Sequence, residues 1–112
     1  MNATTLPIYV FGSGGLAREI IDLAVSERGV PASTITVVVA DSSDPQNRPT
    51  GFPVLEESEA FRRMAAEACA AVVPIGTSRI RASVHRRIEE VVPHCEFPAL
   101  VSPQAAVARH YP

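Results

Sequence analysis

A three-layer α/β fold with a parallel sheet of about four strands is predicted by three features of the sequence. The strand-like runs Ile8–Phe11, Ile35–Ala40 and Ala71–Ile75 are almost continuously apolar, and strands without polar alternation belong to a parallel sheet covered on both faces. Each run is followed by turn formers and then by apolar residues at helical spacing. The resulting order, βαβαβα plus a short last strand, leaves few arrangements because crossovers between parallel strands are right-handed. Half of a doubly wound, Rossmann-like αβα fold satisfies all three, and 112 residues suffice for one such core.

The first strand, Ile8–Phe11, opens after Pro7, where a missing N–H costs the ladder least. Ala17, Ile20, Ile21 and Ala24 then recur at i, i+3, i+4 and i+7, which predicts a helix that Gly29 stops. Ile35–Ala40 is rich in β-branched residues and forms the second strand. DSSDPQNRPTG, residues 41–51, is a polar loop of turn formers, with Phe52–Leu55 as a short extended piece after it. Glu56 to about Glu67 reads as a helix with acidic residues in its first turn and a buried stripe of Phe61, Met64, Ala65 and Ala68. Pro74 is expected at the last pairing position of the strand Ala71–Ile75. A third helix starts with Thr77 or Ser78 as N-cap, turns Ile80, Val84, Ile88 and Val91 inward and ends at Pro93. Glu96–Val101 is a final short strand.

Composition excludes several classes. The formal charge is -2 and basic residues sit among acidic ones, which argues against nucleic acid as a partner. Arg62, Arg63, Arg86 and Arg87 lie beside glutamates and read as solvated helix faces. The N-terminus has neither a basic n-region nor a long apolar run, so neither a signal peptide nor a membrane span is expected. The expectation is a soluble, cytoplasmic protein. Cys69 and Cys95 stand alone, without zinc spacing, and read as small buried hydrophobes; no metal site is expected. His94 and Cys95, adjacent in an extended segment, point to opposite faces and make no dyad.

Chemistry concentrates in the loops after the strands. Gly12, Gly14 and Ala17 satisfy GxGxxG/A between a strand and a helix. Gly12 permits a tight turn, Gly14 permits close approach to the backbone, and the first-turn N–H groups point where a phosphate would sit. Glycines that merely allow the turn are the competing explanation. GTSR, Gly76–Arg79, repeats the arrangement with a cation in the first helical turn, where the dipole disfavours it unless an anion is present. If the first and third strands are neighbours, both helix starts open onto one crevice that a diphosphate could span. Asp41, after the second strand, stands where an acidic residue takes ribose hydroxyls, although an Asx turn would explain it as well.

GSGGLAREIIDLA, GFPVL, VVPIGTSRIR and FPALVSPQAAV occur in an order and spacing that resembles the N-terminal domain of the sugar O- and N-acetyltransferases of the sialic acid and bacillosamine pathways, the NeuD/PglD-like family. The resemblance runs from Ile8 to about Val107. It implies a nucleotide-sugar-binding domain ahead of a left-handed β-helix of hexapeptide repeats that builds a homotrimer and binds acetyl-CoA. By resemblance, Gly12, Ser13, Gly14 and Gly15 match the loop near the sugar nucleotide, Asp41 the acidic residue after strand two, and Gly76, Thr77 and Arg79 the second turn. Leu16 replaces the loop's usual His, Ser102 replaces a His before Pro, and Thr77-Ser78 replaces Asp-Asn. Residues 102–112 resemble the entry to the first β-helical coil, with Val101 and Val107 six apart, and residues 1–101 form the domain.

The expected function is therefore binding of a nucleotide sugar, a UDP-sugar above others, within an acetyltransferase family. No catalytic residue is assigned. The family's catalytic His falls outside these 112 residues, and His85, His94 and His110 are expected outside the glycine-lined crevice. No cofactor is expected on this chain, and acetyl-CoA would be the donor in a longer family member. Alone, the chain is expected to be monomeric or weakly associated and inactive toward acetyl-CoA. A nicotinamide-dependent oxidoreductase or redox-sensing fragment is the alternative, since GxGxxA with Asp41 is also a dinucleotide fingerprint; only one mononucleotide half is present, which opposes it. A structural or regulatory domain with a decayed ligand site is a third reading, motivated by Leu16 and Ser102.

Overall fold

The computed structural model describes residues 6–12, 14–40 and 51–98. Strands β1 (Ile8–Phe11), β2 (Ile35–Val39), β3 (Val54–Glu56) and β4 (Ala70–Val72) form one sheet in the order β3-β2-β1-β4, with every pair parallel. Helix α1 (Gly15–Ser26) follows β1, α2 (Glu57–Ala65) follows β3 and α3 (Ser78–Val91) follows β4. The predicted α/β architecture is thus present, and β1 does neighbour the third predicted strand.

Period-two alternation along β1 divides the core. Val10 packs with Ala17 and Ile21 of α1 and with Val37 and Val39 of β2. Tyr9 and Phe11 point the other way, against Ala60 and Met64 of α2 and Val84 and Ile88 of α3. One helix therefore covers one face of the sheet and two cover the other. Both faces of β1 and β2 are buried, which is why their sequences carry so little polar alternation.

Several boundaries differ from expectation. Helix α1 stops at Ser26, before Gly29, because Gly29 at φ 70° turns the chain so that the Val30 N–H reaches the Ala24 carbonyl. Helix α2 ends at Ala65, its last turn tightened by the Ala66 N–H donating to the carbonyls of Arg63 and Met64. Its inward line is Ala60 and Met64, with Phe61 at the flank; Ala65 and Ala68 are exposed. On α3 only Val84 and Ile88 are buried, while Ile80 and Val91 are about half exposed. Val92, just past the helix, takes the inward place expected of Val91.

Strand β4 is shorter than expected and Pro74 lies beyond it. The Ile75 N–H donates to the Val73 carbonyl at 2.9 Å, an i+2 to i bond with Pro74 at its centre. That is the inverse γ-turn, whose central φ suits proline. The segment expected as a last strand is represented by a single parallel bridge, Ala70 to Glu96; residues 99–101 lie outside the described residues, as does the boundary between 101 and 102.

Tyr9 ties the sheet to the turn that follows α2. Its hydroxyl donates to Glu67 Oε2 at 2.5 Å. Burial, and then the Glu67 carboxylate, push the phenol well above its ordinary range. The native state therefore holds a proton that the unfolded chain releases near pH ~10, so stability contributed by Tyr9 is complete below that pH and falls above it, by about 1.4 kcal/mol per pH unit. Tyr9→Phe is expected to lower stability by about 1 kcal/mol at neutral pH, since the exposed Glu67 regains water, and to reduce this alkaline slope. Denaturant titrations between neutral pH and pH ~11 measure both; an unchanged slope would show that Tyr9 ionises freely.

Candidate functional site

The two glycine-bearing loops meet at the carboxyl ends of β1 and β4. Gly12 lies at φ 151°, and a Cβ built there would stand 3.4 Å from the Pro74 carbonyl oxygen and 3.8 Å from Ile75 Cγ1. Its N–H donates to the Val38 carbonyl at 3.1 Å, extending the β1–β2 ladder by one bond. Gly12 is thus required by its conformation, while a Cβ there would make ordinary contacts with the neighbouring loop. Gly14 is different: its φ of -89° and ψ of -162° suit other residues, and nothing lies within 4 Å of where a Cβ would be. Gly15 and Gly76 also face open space. Neither packing nor strain accounts for glycine at these three positions.

Both helices that open at these loops begin without a side-chain cap. Gly14 is the N-cap of α1, and Thr77 is the N-cap of α3 at φ -80° and ψ 116°, with no capping bond from its hydroxyl. The expected N-cap position is right and the expected hydroxyl contact is absent. First-turn N–H groups at both starts thus receive no capping oxygen from their N-cap side chains among the described residues. No acidic residue stands in either first turn. The positive ends of two helix dipoles consequently lie on adjacent strands, at the point where the order reverses between β1–β2 and β1–β4.

The arginines behave differently from each other. Arg79 is exposed and has no hydrogen bond or ion pair among the described residues. Arg81, the last residue of the VVPIGTSRIR segment but not assigned a site role from the sequence, folds back on the loop: Nη1 donates to the Ile75 carbonyl at 2.9 Å and Nη2 to Ser78 Oγ at 3.4 Å. Arg81 also lines a cavity of about 750 Å³ beside β4, together with Ile20, Pro74, Ser78, His85 and Phe97. None of the candidate glycines lines it. Arg86 borders it as well while remaining exposed on a solvated face, as expected, and Arg62 and Arg63 pair with Glu59 and Arg87 bridges to Glu57 of α2 at 2.9 Å as ordinary surface ion pairs.

His85 lies on α3, as expected, and lines the same cavity. Its ring stacks on Phe97 with centroids 3.9 Å apart, and Nδ1 is 3.6 Å from Glu89 Oε1, which places it in the cavity wall that begins at the β4–α3 turn. His94 acts structurally, because Nε2 meets the carbonyl oxygens of Met64 and Glu67 at 2.9 and 2.8 Å, so that nitrogen carries the proton and caps the end of α2. Ser13, Asp41, Ser102 and His110 lie outside the described residues. Among the described residues no cluster of three or more His, Cys, Asp or Glu could hold a metal ion, and no helix is long and apolar enough to cross a membrane.

Arg81 and His85, which the sequence does not place at the site, share one cause, whereas Phe97 is brought in by the Ala70–Glu96 bridge. Which side of α3 faces β4 depends on how the helix rolls on the sheet, and the half-exposed Ile80 shows that the roll differs from the one its apolar spacing suggests. Comparison with curated proteins and with solved structures gives no significant match. A family model, the PglD N-terminal domain, does match, over residues 7–88, which takes in β1, both glycine-bearing turns and most of α3. The chain belongs to the PglD N-terminal domain family.

Proposed function

We propose that this domain binds a nucleotide sugar, a UDP-sugar above others, for a cytoplasmic sugar acetyltransferase of the NeuD/PglD type. The observation that carries the reading is the pair of uncapped helix starts on adjacent strands, with Gly14, Gly15 and Gly76 open to solvent where neither conformation nor packing asks for glycine. A diphosphate laid across the two starts would receive backbone N–H groups from both. Arg79 would supply the cation, and its freedom from protein partners among the described residues supports that role. Family membership supplies the acetyltransferase setting. Acetyl-CoA as donor, and the base that accepts the acceptor's proton, belong in this proposal to the β-helical part of such enzymes.

Calorimetric titration with UDP, UDP-sugars, CMP-sialic acid, NADH and acetyl-CoA tests the reading. Uridine nucleotides are expected to bind. Arg79→Ala is expected to weaken them by roughly tenfold to a hundredfold, since a charge-assisted hydrogen bond contributes ~1.5–3 kcal/mol. Gly14→Val should abolish binding by covering the backbone, at a stability cost of only about 1 kcal/mol for the poorer N-cap. Binding of NADH without any response to uridine nucleotides would overturn the proposal. A larger loss in Arg81→Ala than in Arg79→Ala would move the anion contact to the residue that lines the cavity.

A further inference from the structure

Cys69 and Cys95 are brought together by the fold. The parallel bridge from Ala70 to Glu96 makes them register neighbours, and backbone bonds bracket them: the Glu96 N–H donates to the Cys69 carbonyl at 3.1 Å and the Ala71 N–H to the Glu96 carbonyl at 2.8 Å. Both side chains belong to the α2/α3 face of the core, Cys69 fully buried and Cys95 half-buried, and each thiol donates to a carbonyl, Cys69 to Met64 at 3.7 Å and Cys95 to Glu96 at 3.5 Å. Paired chains in a sheet run roughly 4.8 Å apart, inside the Cα separation that a disulfide spans. Neither sulfur serves the candidate binding site.

We propose that Cys69 and Cys95 form a reversible intramolecular disulfide by exchange with a small-molecule disulfide, and that this bond fixes the Cys95–Pro98 segment to the edge of β4. Cys95, the more accessible, reacts first. Its thiolate, after losing its proton to water, attacks one sulfur of the small disulfide, forming a mixed disulfide and releasing one small thiolate. The Cys69 thiolate then attacks the Cys95 sulfur, the new S–S bond forms, and the second small thiolate leaves. The two cysteines lose two electrons, the small disulfide gains them, and the two released protons end on the two small thiols. Burial holds both thiols above their ordinary range, Cys95 at about 12, so exchange is slow and the protein must be incubated for hours. The segment held carries Phe97, which stacks on His85 and walls the cavity, so the bond secures that wall.

The test equilibrates the 112-residue chain with glutathione disulfide, quenches it with acid and reads intact mass and peptide maps. The expected product is monomeric, lighter by two hydrogens, with Cys69 and Cys95 peptides linked and the mass restored by dithiothreitol. Cys69→Ser and Cys95→Ser should each fail to lose those hydrogens. Two free thiols after prolonged exposure, or disulfide-linked dimers in place of the internal bond, would overturn the proposal. Hydrogen exchange supplies the second measurement: the Ala71 and Glu96 amides should exchange at least about tenfold more slowly in the oxidised chain. Equal exchange in both states would overturn the claim that the bond secures the segment. These readouts use no nucleotide, so they stand or fall separately from the binding proposal.

Discussion

Met64→Ala is expected to lower the free energy of unfolding by about 2–5 kcal/mol, the range for truncating a fully buried large aliphatic side chain. Met64 has no exposed surface and lies where α2 meets the sheet, in one cluster with Tyr9, Phe11, Val38 and Ala71. Its backbone is held from two directions, since the carbonyl receives bonds from His94 Nε2 and the Cys69 thiol. That restraint limits collapse of α2 into the void, so the loss belongs in the upper half of the range. A domain of this size commonly has only about 5–15 kcal/mol in total, so the variant would be a large fraction of the way to unfolding. Urea titration measures it as a lower midpoint at unchanged slope. Met64→Leu, which keeps the volume, should cost less than about 1.5 kcal/mol. A loss under about 1 kcal/mol in the alanine variant would mean that α2 does not dock on Met64.

Gly12→Val should be comparably severe for a different reason. At φ 151° an L side chain is strained whatever space it has, and such conformations cost on the order of 1–3 kcal/mol. The Cβ alone would already be in van der Waals contact with the Pro74 carbonyl oxygen and ring, so the two methyls of valine have little room on that side. Relief would require moving the β4–α3 turn, which Arg81 holds through the Ile75 carbonyl, or breaking the Gly12–Val38 bond. A combined loss of about 3 kcal/mol or more is expected, read by the same titration. The control is Gly14→Val, two residues on, at about 1 kcal/mol. Similar losses at the two positions would show that the loop yields as a whole and that Gly12 has no special conformation.

Residues adjacent in the chain determined much of this by themselves. The continuous apolar runs of β1 and β2 and the Ala17–Ile21–Ala24 spacing of α1 are local patterns, and period alone assigns them to strand or helix and selects a parallel, doubly covered sheet. The glycine loop is legible for the same reason: strand, glycines and helix start are consecutive in the chain. What needed the tertiary structure is whatever depends on elements far apart in sequence. The strand order placed the second glycine-bearing turn against the first, and the folded backbone separates Gly12, held at a positive φ against that turn, from Gly14, whose conformation and open surroundings do not ask for glycine. Helix α3 shows the limit within a single element, because its roll on the sheet leaves Ile80 exposed and brings Arg81 and His85 to the cavity wall while Arg79 stays in solvent. The cysteines show the limit between elements: spacing leaves Cys69 and Cys95 isolated, and one parallel bridge at the edge of β4 sets them side by side. A periodic pattern records which face of an element is apolar, whereas the partner that face meets is decided by how all the layers close around the core.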